Sequence, residues 1–465
     1  MSDKARPAIP ATPLGTKKCI VKKDAQSITQ SIDAQSVTQS TSAQAKNKQA
    51  KKDARVVREL GHFKKLRKIG KLLRCLHDDG CARDKAGNRE LHFDEYVLLI
   101  LFWFFNPGLD SMRALYRAMD SEEVQKKLGV KRFSLGSFSE ACRVFEPAKL
   151  QVVVGQMYKR MAPVSRQNLL NNVPGIVELV DGTVLPTLRS VTAAMWLPPA
   201  GYGQATHAYK LHIGFEIDKH VPTSLVLTDA RGRGNSGERN VLRNRLLPGR
   251  TYVADRGYQQ VALFNAIHAI GSNYVFRVPD QEKLPQIIKS LVLSAEDIAA
   301  KVISDQIIMM GKAGNASDHP IRLVCVETTP HTKRGKADGP PSDGVLRIAT
   351  DLLDVPAHII AFLYSYRWTL EIFIRFLKQV LGCRHLLSTK TEGIEIQIYA
   401  AVIACMMLNI ITGKKPNKAM FELLHQYLNG WHSEAHVIRT LNKPDNTGVK
   451  LRAEAEAMKK MSILN

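Results

Sequence analysis

The stretch Tyr364-Ser-Tyr-Arg-Trp-Thr-Leu-Glu-Ile-Phe-Ile-Arg-Phe-Leu-Lys378 carries two patterns at once. At about 100° per residue, Tyr364, Arg367, Glu371, Arg375 and Lys378 fall within an arc of about 80° on one helix face. Phe373, Phe376, Leu377, Val380 and Leu381 gather on the other side, as a core-facing stripe should. One carboxylate is thus framed by a phenol, two guanidinium groups and an ammonium on a helix with an apolar back. A carboxylate can hold a divalent cation and the surrounding cations can hold phosphates, so the pattern points to chemistry on nucleic acid. The same face also fits a solvated surface laced with ion pairs, because Arg367 and Glu371 stand four residues apart. The rest of the chain has to decide.

The 465 residues suffice for two or three domains and a sizeable core. With 66 Lys and Arg against 43 Asp and Glu, the net charge is +23. A chain this basic implies a polyanionic partner, either nucleic acid or an anionic membrane surface. The charge is uneven: Lys46 to Arg74 holds twelve basic and two acidic residues. Of two apolar runs, Tyr96–Phe105 is too short to span a bilayer. Ile394–Thr412 is interrupted by Glu395, Gln397 and Asn409 and reads as a buried core helix, so no membrane insertion is expected. The polar start predicts no secretory signal. Seven cysteines without framework spacing suit a reducing cytosol. Cys75-x-His77…Cys81 and Cys383-x-His385 lack the paired short spacing of a zinc finger and read as free structural cysteines.

Residues 1–55 read as a disordered, low-complexity tail in which Asp24–Ile32 and Asp33–Ser40 are near copies. Residues 56–170 are helical, with 3.6-residue periodicity in Arg58–Leu76, Phe93–Phe105, Ser111–Met119, Ser121–Leu128, Ser137–Phe145 and Ala148–Met161. The turn at Leu128-Gly129-Val130, flanked by Lys126, Lys127, Lys131 and Arg132, fits a helix-turn-helix-like DNA reader and a plain helical bundle equally. From Pro174 the texture changes. Strands are predicted at Gly175–Val180, Lys210–Ile217, Pro222–Thr228, Thr251–Ala254 and Asn273–Val278, with helices at Glu238–Leu247 and Gln260–Ile270. This mixed order suits a three-layer α/β fold with a site at its strand ends. Residues 280–350 form a β-rich insertion with runs at Ile303–Met310, Ile321–Thr328 and Gly344–Ala349. Its loop Lys333-Arg-Gly-Lys336 fits either a phosphate contact or a solvated turn. The core is thus expected in two parts, 171–279 and 351–412, followed by a helical C-terminal tail over 413–465.

Asp181 and Asp255 each end an apolar strand and precede a Gly-containing turn. Either alone has an ordinary explanation, as a turn residue or a helix cap. Together with Glu371 they form a set of hard oxygen donors suited to two Mg²⁺ ions, or to Mn²⁺. Such a pair clamps the attacking and leaving oxygens of an in-line phosphoryl displacement.

The spacing Tyr364-x2-Arg367-x3-Glu371-x6-Lys378 resembles the Y-R-E-K signature of DDE transposases of the insertion-sequence-four family. Val180-Asp181-Gly-Thr and Ala254-Asp255-Arg-Gly-Tyr resemble that family's first and second Asp strands, and Ser134–Ala141 and Glu392–Tyr399 are similar to further family segments. The resemblance covers roughly residues 90–412. It implies a ribonuclease-H-like catalytic core with a β-rich insertion, preceded by an α-helical N-terminal DNA-binding domain. Asp181, Asp255 and Glu371 would be the catalytic, metal-binding residues, and Tyr364, Arg367 and Lys378 would contact DNA around a flipped nucleotide. The expected reaction is metal-dependent cleavage at transposon ends and strand transfer, cut-and-paste through a hairpin. Expected partners are double-stranded DNA, as terminal inverted repeats and as target, with a homodimer in the DNA complex. The setting would be a bacterial cytoplasm, at the nucleoid. In one respect the chain departs from the pattern: none of Trp103, Trp196, Trp368 and Trp431 lies in the insertion, which leaves Phe276 and Trp368 to stack a flipped base. The rival readings are a non-catalytic repressor derived from a transposase and a general nuclease. The presence of all three carboxylates weighs against the repressor.

Overall fold

The computed structural model describes residues 70–77, 90–161 except 107 and 110, 163, 170–187, 195–197, 206–230, 234–279, 286–328 except 313, 343–379, 387–428 except 389, 413 and 414, and 431–442. The 1–55 tail, most of the basic run from Lys46, the Lys333–Lys336 loop and the chain beyond 442 lie outside them.

Among the described residues, the helices α1 (Phe93–Phe104), α2 (Met112–Ala118), α3 (Glu122–Leu128), α4 (Leu135–Val144) and α5 (Leu150–Arg160) precede the sheet. Serine side chains cap the starts of α2 and α4. The Ser111 hydroxyl accepts from Ala114 N at 3.2 Å, and the Ser134 hydroxyl accepts from Ser137 N at 2.9 Å. Gly129 closes α3 with a φ of 72°, a left-handed conformation that costs glycine least.

A sheet of ten strands follows. Its first members are β1 (Ile176–Thr187), β2 (Met195–Leu197), β3 (Thr206–Glu216) and β4 (Val221–Asp229). The short helix α6 (Glu238–Arg243) leads to β5 (Arg250–Ala254), and α7 (Val261–Ala269) crosses to β6 (Asn273–Arg277). Next come β7 (Gln286–Ser290), α8 (Ala295–Ala299), β8 (Val302–Met309), the small β9 (Gly311–Lys312) and β10 (Asn315–Ala316) ribbon, β11 (Ile321–Glu327) and β12 (Val345–Thr350). Strand order is β2-β3-β1-β5-β6-β12-β11-β8-β7, with β4 also on β3. The pairs β1·β5 and β5·β6 are parallel, and β1·β3 and β3·β4 are antiparallel. The fold is therefore mixed α/β around a large central sheet.

One detail differs from expectation and another goes beyond it. Strand β1 does not stop at Asp181 but runs on to Thr187, because Gly182, Thr183 and their successors keep pairing with β3. The β runs of 280–350, expected as a β-rich insertion, belong to the central sheet apart from the β9–β10 ribbon, a pairing the sequence does not show. β12 pairs with β6, so they extend the central sheet.

The sheet is covered on both faces. Val180, Tyr252 and Ala254 join one apolar cluster with Val261, Leu263 and Phe264 of α7. Val177, Leu179, Val253 and Phe215 join another, larger cluster. That one contains α9 (Ala357–Ser365), α10 (Arg367–Gln379), α11 (Thr391–Thr412) and the N-terminal helices. Among the described residues α11 alone is long and apolar enough to cross a membrane, and its apolar run is 89% buried inside the molecule. Its polar residues find internal partners: Gln397 accepts from Leu387 N at 2.8 Å, and Asn409 donates to Lys219 O at 3.0 Å. Helices α12 (Lys418–Leu428) and α13 (Glu434–Asn442) complete the described chain. Cys142 and Cys325 are free thiols.

One buried ion pair ties the outer strands to the helix that leads into α10. Arg322 on β11 donates from Nε and Nη2 to the two carboxylate oxygens of Asp305 on β8, at 2.8 and 2.7 Å. Its Nη1 donates to the carbonyls of Leu352 (3.1 Å), Leu353 (3.0 Å) and Val355, in the turn before α9. Removing one partner of a buried pair strands the other, so Arg322→Ala is expected to cost about 3–5 kcal/mol. Urea unfolding measures it, and a loss below about 1 kcal/mol, the range of a surface pair, contradicts a buried clamp.

Candidate active site

Parallel register sets the geometry. Val180 on β1 is opposite Ala254 on β5, so Asp181 and Asp255 each occupy the next position on adjacent strands. Side chains alternate along a strand, so Asp181 shares a face with Val177 and Leu179. Asp255, still extended with φ −82° and ψ −179°, likewise follows Val253. That face is covered by α10, which is seated on it by Phe373 packing against Phe215, their ring centroids 4.9 Å apart.

Each aspartate is fixed by the amide of a nearby glycine. Gly182 N donates to Asp181 Oδ1 at 2.8 Å, and Gly257 N donates to Asp255 Oδ1 at 2.8 Å. The Asp181 carboxyl is pushed up to about 6, chiefly by burial. Gly182's amide pulls it down, Asp255's charge raises it, Arg367 lowers it and Glu238 raises it. The carboxylates therefore crowd one another.

Arg367 opens α10 and supplies the opposing charge. Its Nη2 lies 2.6 Å from Glu371 Oε1, one turn along the helix. Its guanidinium also feels the charges of Asp181 and Asp255. Arg367 thus pairs directly with Glu371 and feels the charge of both aspartates. The helix itself is broken where the sequence pattern runs on. Tyr364 belongs to α9 and Tyr366 forms the joint, with Tyr366 N bonded to Leu363 O at 3.1 Å. Tyr364 is buried, with the Arg367 guanidinium 6.0 Å from the centre of its ring. Lys378 is half-buried on the last turn of α10, and Arg375 is exposed.

Two residues that sequence reasoning did not single out belong to this neighbourhood. Glu238, the first residue of α6, pairs with Lys210 of β3 at 2.7 Å between Nζ and Oε1. An acid in the first turn of a helix is an ordinary dipole partner, so nothing in the sequence set Glu238 apart.

A different trio sits elsewhere on the sheet. His268, His319 and Asp351 place metal-type ligand atoms within 4.8 Å of one another. Both nitrogens of His319 are already engaged, by Asp318 at 2.6 Å and by the Tyr274 hydroxyl at 2.9 Å. Asp351 also accepts from Tyr274 N at 3.1 Å. This is a closed hydrogen-bond network.

Comparisons with known proteins point to one family. The family model described as "Transposase DDE domain" matches residues 175–408, which include Asp181, Asp255 and Glu371. A putative transposase, y4zB, of Sinorhizobium fredii is 26% identical over 236 residues, covering 50% of this chain and 60% of the relative. A probable transposase for insertion sequence element IS5377 of Geobacillus stearothermophilus is 25% identical over 236 residues, covering 50% of this chain and 56% of the relative. The matched stretch thus spans less than two thirds of either relative. A cryo-EM structure of the piggyBac transposase synaptic complex with hairpin DNA is similar at a TM-score of 0.38 and 11% identity, over 78% of this chain and 75% of that one. With half of its length matched by the family model, the chain belongs to the transposase DDE domain family.

Proposed function

We propose that this chain is a metal-dependent DNA transposase of an insertion sequence, cutting at transposon ends and joining them to target DNA. The observation that carries the reading is that Asp181 and Asp255 follow paired residues on adjacent parallel strands, while Arg367, which pairs with Glu371, feels both of their charges. The donor set suits Mg²⁺ or Mn²⁺, since it offers hard carboxylate oxygens and neither imidazole nor thiolate. Burial chiefly, with the Asp255 charge beside it, lifts Asp181 to about 6, and a divalent cation would offset that cost of ionising it. Two such ions would activate water or a 3′-hydroxyl and stabilise the leaving oxygen.

The protein's own groups do the rest. Glycine amides hold one oxygen of each aspartate and leave the other to face the ions. Glu371 completes the set from α10. Arg367 and Lys378 grip phosphates beside the scissile bond, and buried Tyr364 orients Arg367 from behind. The strand order β4-β3-β1-β5-β6, antiparallel and then parallel, supports a ribonuclease-H-like core, with β7 to β12 as the insertion. The Y-R-E-K spacing supports membership of the insertion-sequence-four branch. In that reading the N-terminal helices bind transposon ends, two copies act on the paired ends, and the protein works at the nucleoid of a bacterial cytoplasm. A hairpin step needs a stacking ring. Phe276 is fully buried, whereas Trp368 is 48% exposed on the first turn of α10, with the Arg375 guanidinium 5.9 Å from its ring. Trp368 is the aromatic we assign to the flipped base.

The test is cleavage of DNA bearing the element's terminal repeats, with Mg²⁺, by wild type beside Asp255→Ala. The variant is expected to lose at least about a thousandfold in rate. Equal cutting by both removes the catalytic assignment. Specific binding without cutting by the wild type favours the repressor, and indiscriminate cutting without joined product favours a general nuclease. For Trp368→Ala, first-strand nicking is expected to persist while hairpin formation falls about tenfold or more, the worth of one base stack. Unchanged hairpin yield contradicts the assignment.

A further inference from the structure

The glycines whose amides hold the two aspartates share an unusual constraint. A Cβ placed on Gly182 would lie 2.6 Å from Glu238 Oε1 and 2.8 Å from Lys210 Cε. A Cβ on Gly257 would lie 3.2 Å from Glu238 Oε2 and 3.0 Å from Asp255 Oδ1. Neither glycine has a positive φ, so neither is required by backbone conformation. The carboxylate of Glu238 stands against both glycines, Oε1 beside Gly182 and Oε2 beside Gly257, where Asp255's own carboxylate is closer still. On β1, Gly182 alternates with Asp181, so Glu238 sits on the face of the sheet opposite the one to which Asp181 turns. It is therefore placed behind the aspartates and not among their ligands.

The neighbour Arg239 adds a further hold, its Nε donating to Gly257 O at 2.8 Å. Lys210 balances the Glu238 charge, and the two side chains are 17% and 23% exposed, so the pair is largely shielded from water. We propose that Glu238 is a positioning residue: its carboxylate, neutralised by Lys210, spans the Asp181-Gly182 step and the Asp255-Arg-Gly257 turn and sets the spacing of the two catalytic aspartates. The proposal rests on the metal-site reading above and deepens it. It also relates the two glycines through one carboxylate, where the sequence shows two separate turn signals.

The test reads Mn²⁺ affinity by electron paramagnetic resonance on the full-length protein, without DNA, for five variants with thermal unfolding as a folding control. Residues that orient metal ligands typically change affinity by about 10–100-fold, so Glu238→Ala and Gly182→Ala are each expected to weaken binding by at least about tenfold. Glu238→Gln, which keeps the shape of the brace, recovers most of the loss seen with Glu238→Ala. The double variant Gly182→Ala with Glu238→Ala binds better than the product of the single effects predicts, because the new methyl enters vacated space. Glu238→Gln as weak as Glu238→Ala makes the carboxylate a direct ligand and overturns the proposal, and additive single effects also overturn it. Should Glu238→Ala not fold, Gly182→Ala at wild-type affinity overturns it alone. Asp181→Asn separates the two levels. If that variant leaves Mn²⁺ binding unchanged, the metal site itself fails. If it abolishes binding while Glu238 and Gly182 variants leave it intact, only the brace fails.

Discussion

The parallel pairing of β1 with β5 forces two carboxylates to be neighbours. With Val180 opposite Ala254, the next residues along, Asp181 and Asp255, sit on strands spaced about 4.8 Å apart. Two like charges at about 5 Å repel by about 3 kcal/mol at the effective dielectric of a protein surface. Sheet hydrogen bonding holds them there, together with the packing of Leu179 and Val253, which are fully buried. A rigid pair of interior strands that maintains such repulsion is a place where a cation is favoured. Arg367 answers part of that demand and Glu371 comes with it on the same helix.

The rest of the fold delivers α10 to those strands. Phe373 against Phe215 seats its apolar back, and buried Leu370 and Leu377 continue the stripe. The joint at Tyr366 lets α9 turn its Tyr364 inward while α10 turns Arg367 toward the aspartates. Arg322, through its carbonyl contacts before α9, fixes where that helix pair begins. Behind them α11 links sheet and N-terminal helices: Tyr399 meets Gln151 of α5 at 2.8 Å, and Thr391 meets Tyr209 of β3 at 2.7 Å. A site built this way depends on elements drawn from most of the described chain.

Much of this is legible in the residues because the patterns are local. The stripe of α10, the short apolar run before Asp255 and the hairpin turning at Asp218-Lys-His all declare themselves through periodicity and turn chemistry. What stays hidden is non-local. Asp181-Gly182 reads as a strand end, yet the strand continues because β3 is there to pair with it. The runs after residue 280 read as an insertion, and only the pairing of β12 with β6 makes them part of the central sheet. Tyr364 falls on the charged face by phase, but the neighbouring packing buries it. Glu238 gives no signal, since its role arises from two glycines elsewhere in the chain that approach it in space.

The most direct measurement is anomalous diffraction from crystals soaked in Mn²⁺. Peaks are expected bonded to carboxylate oxygens of Asp181, Asp255 and Glu371, with Glu371 drawn toward the aspartates. Manganese bound only elsewhere, or none at saturating concentration with the three carboxylates still ordered, contradicts a shared metal site.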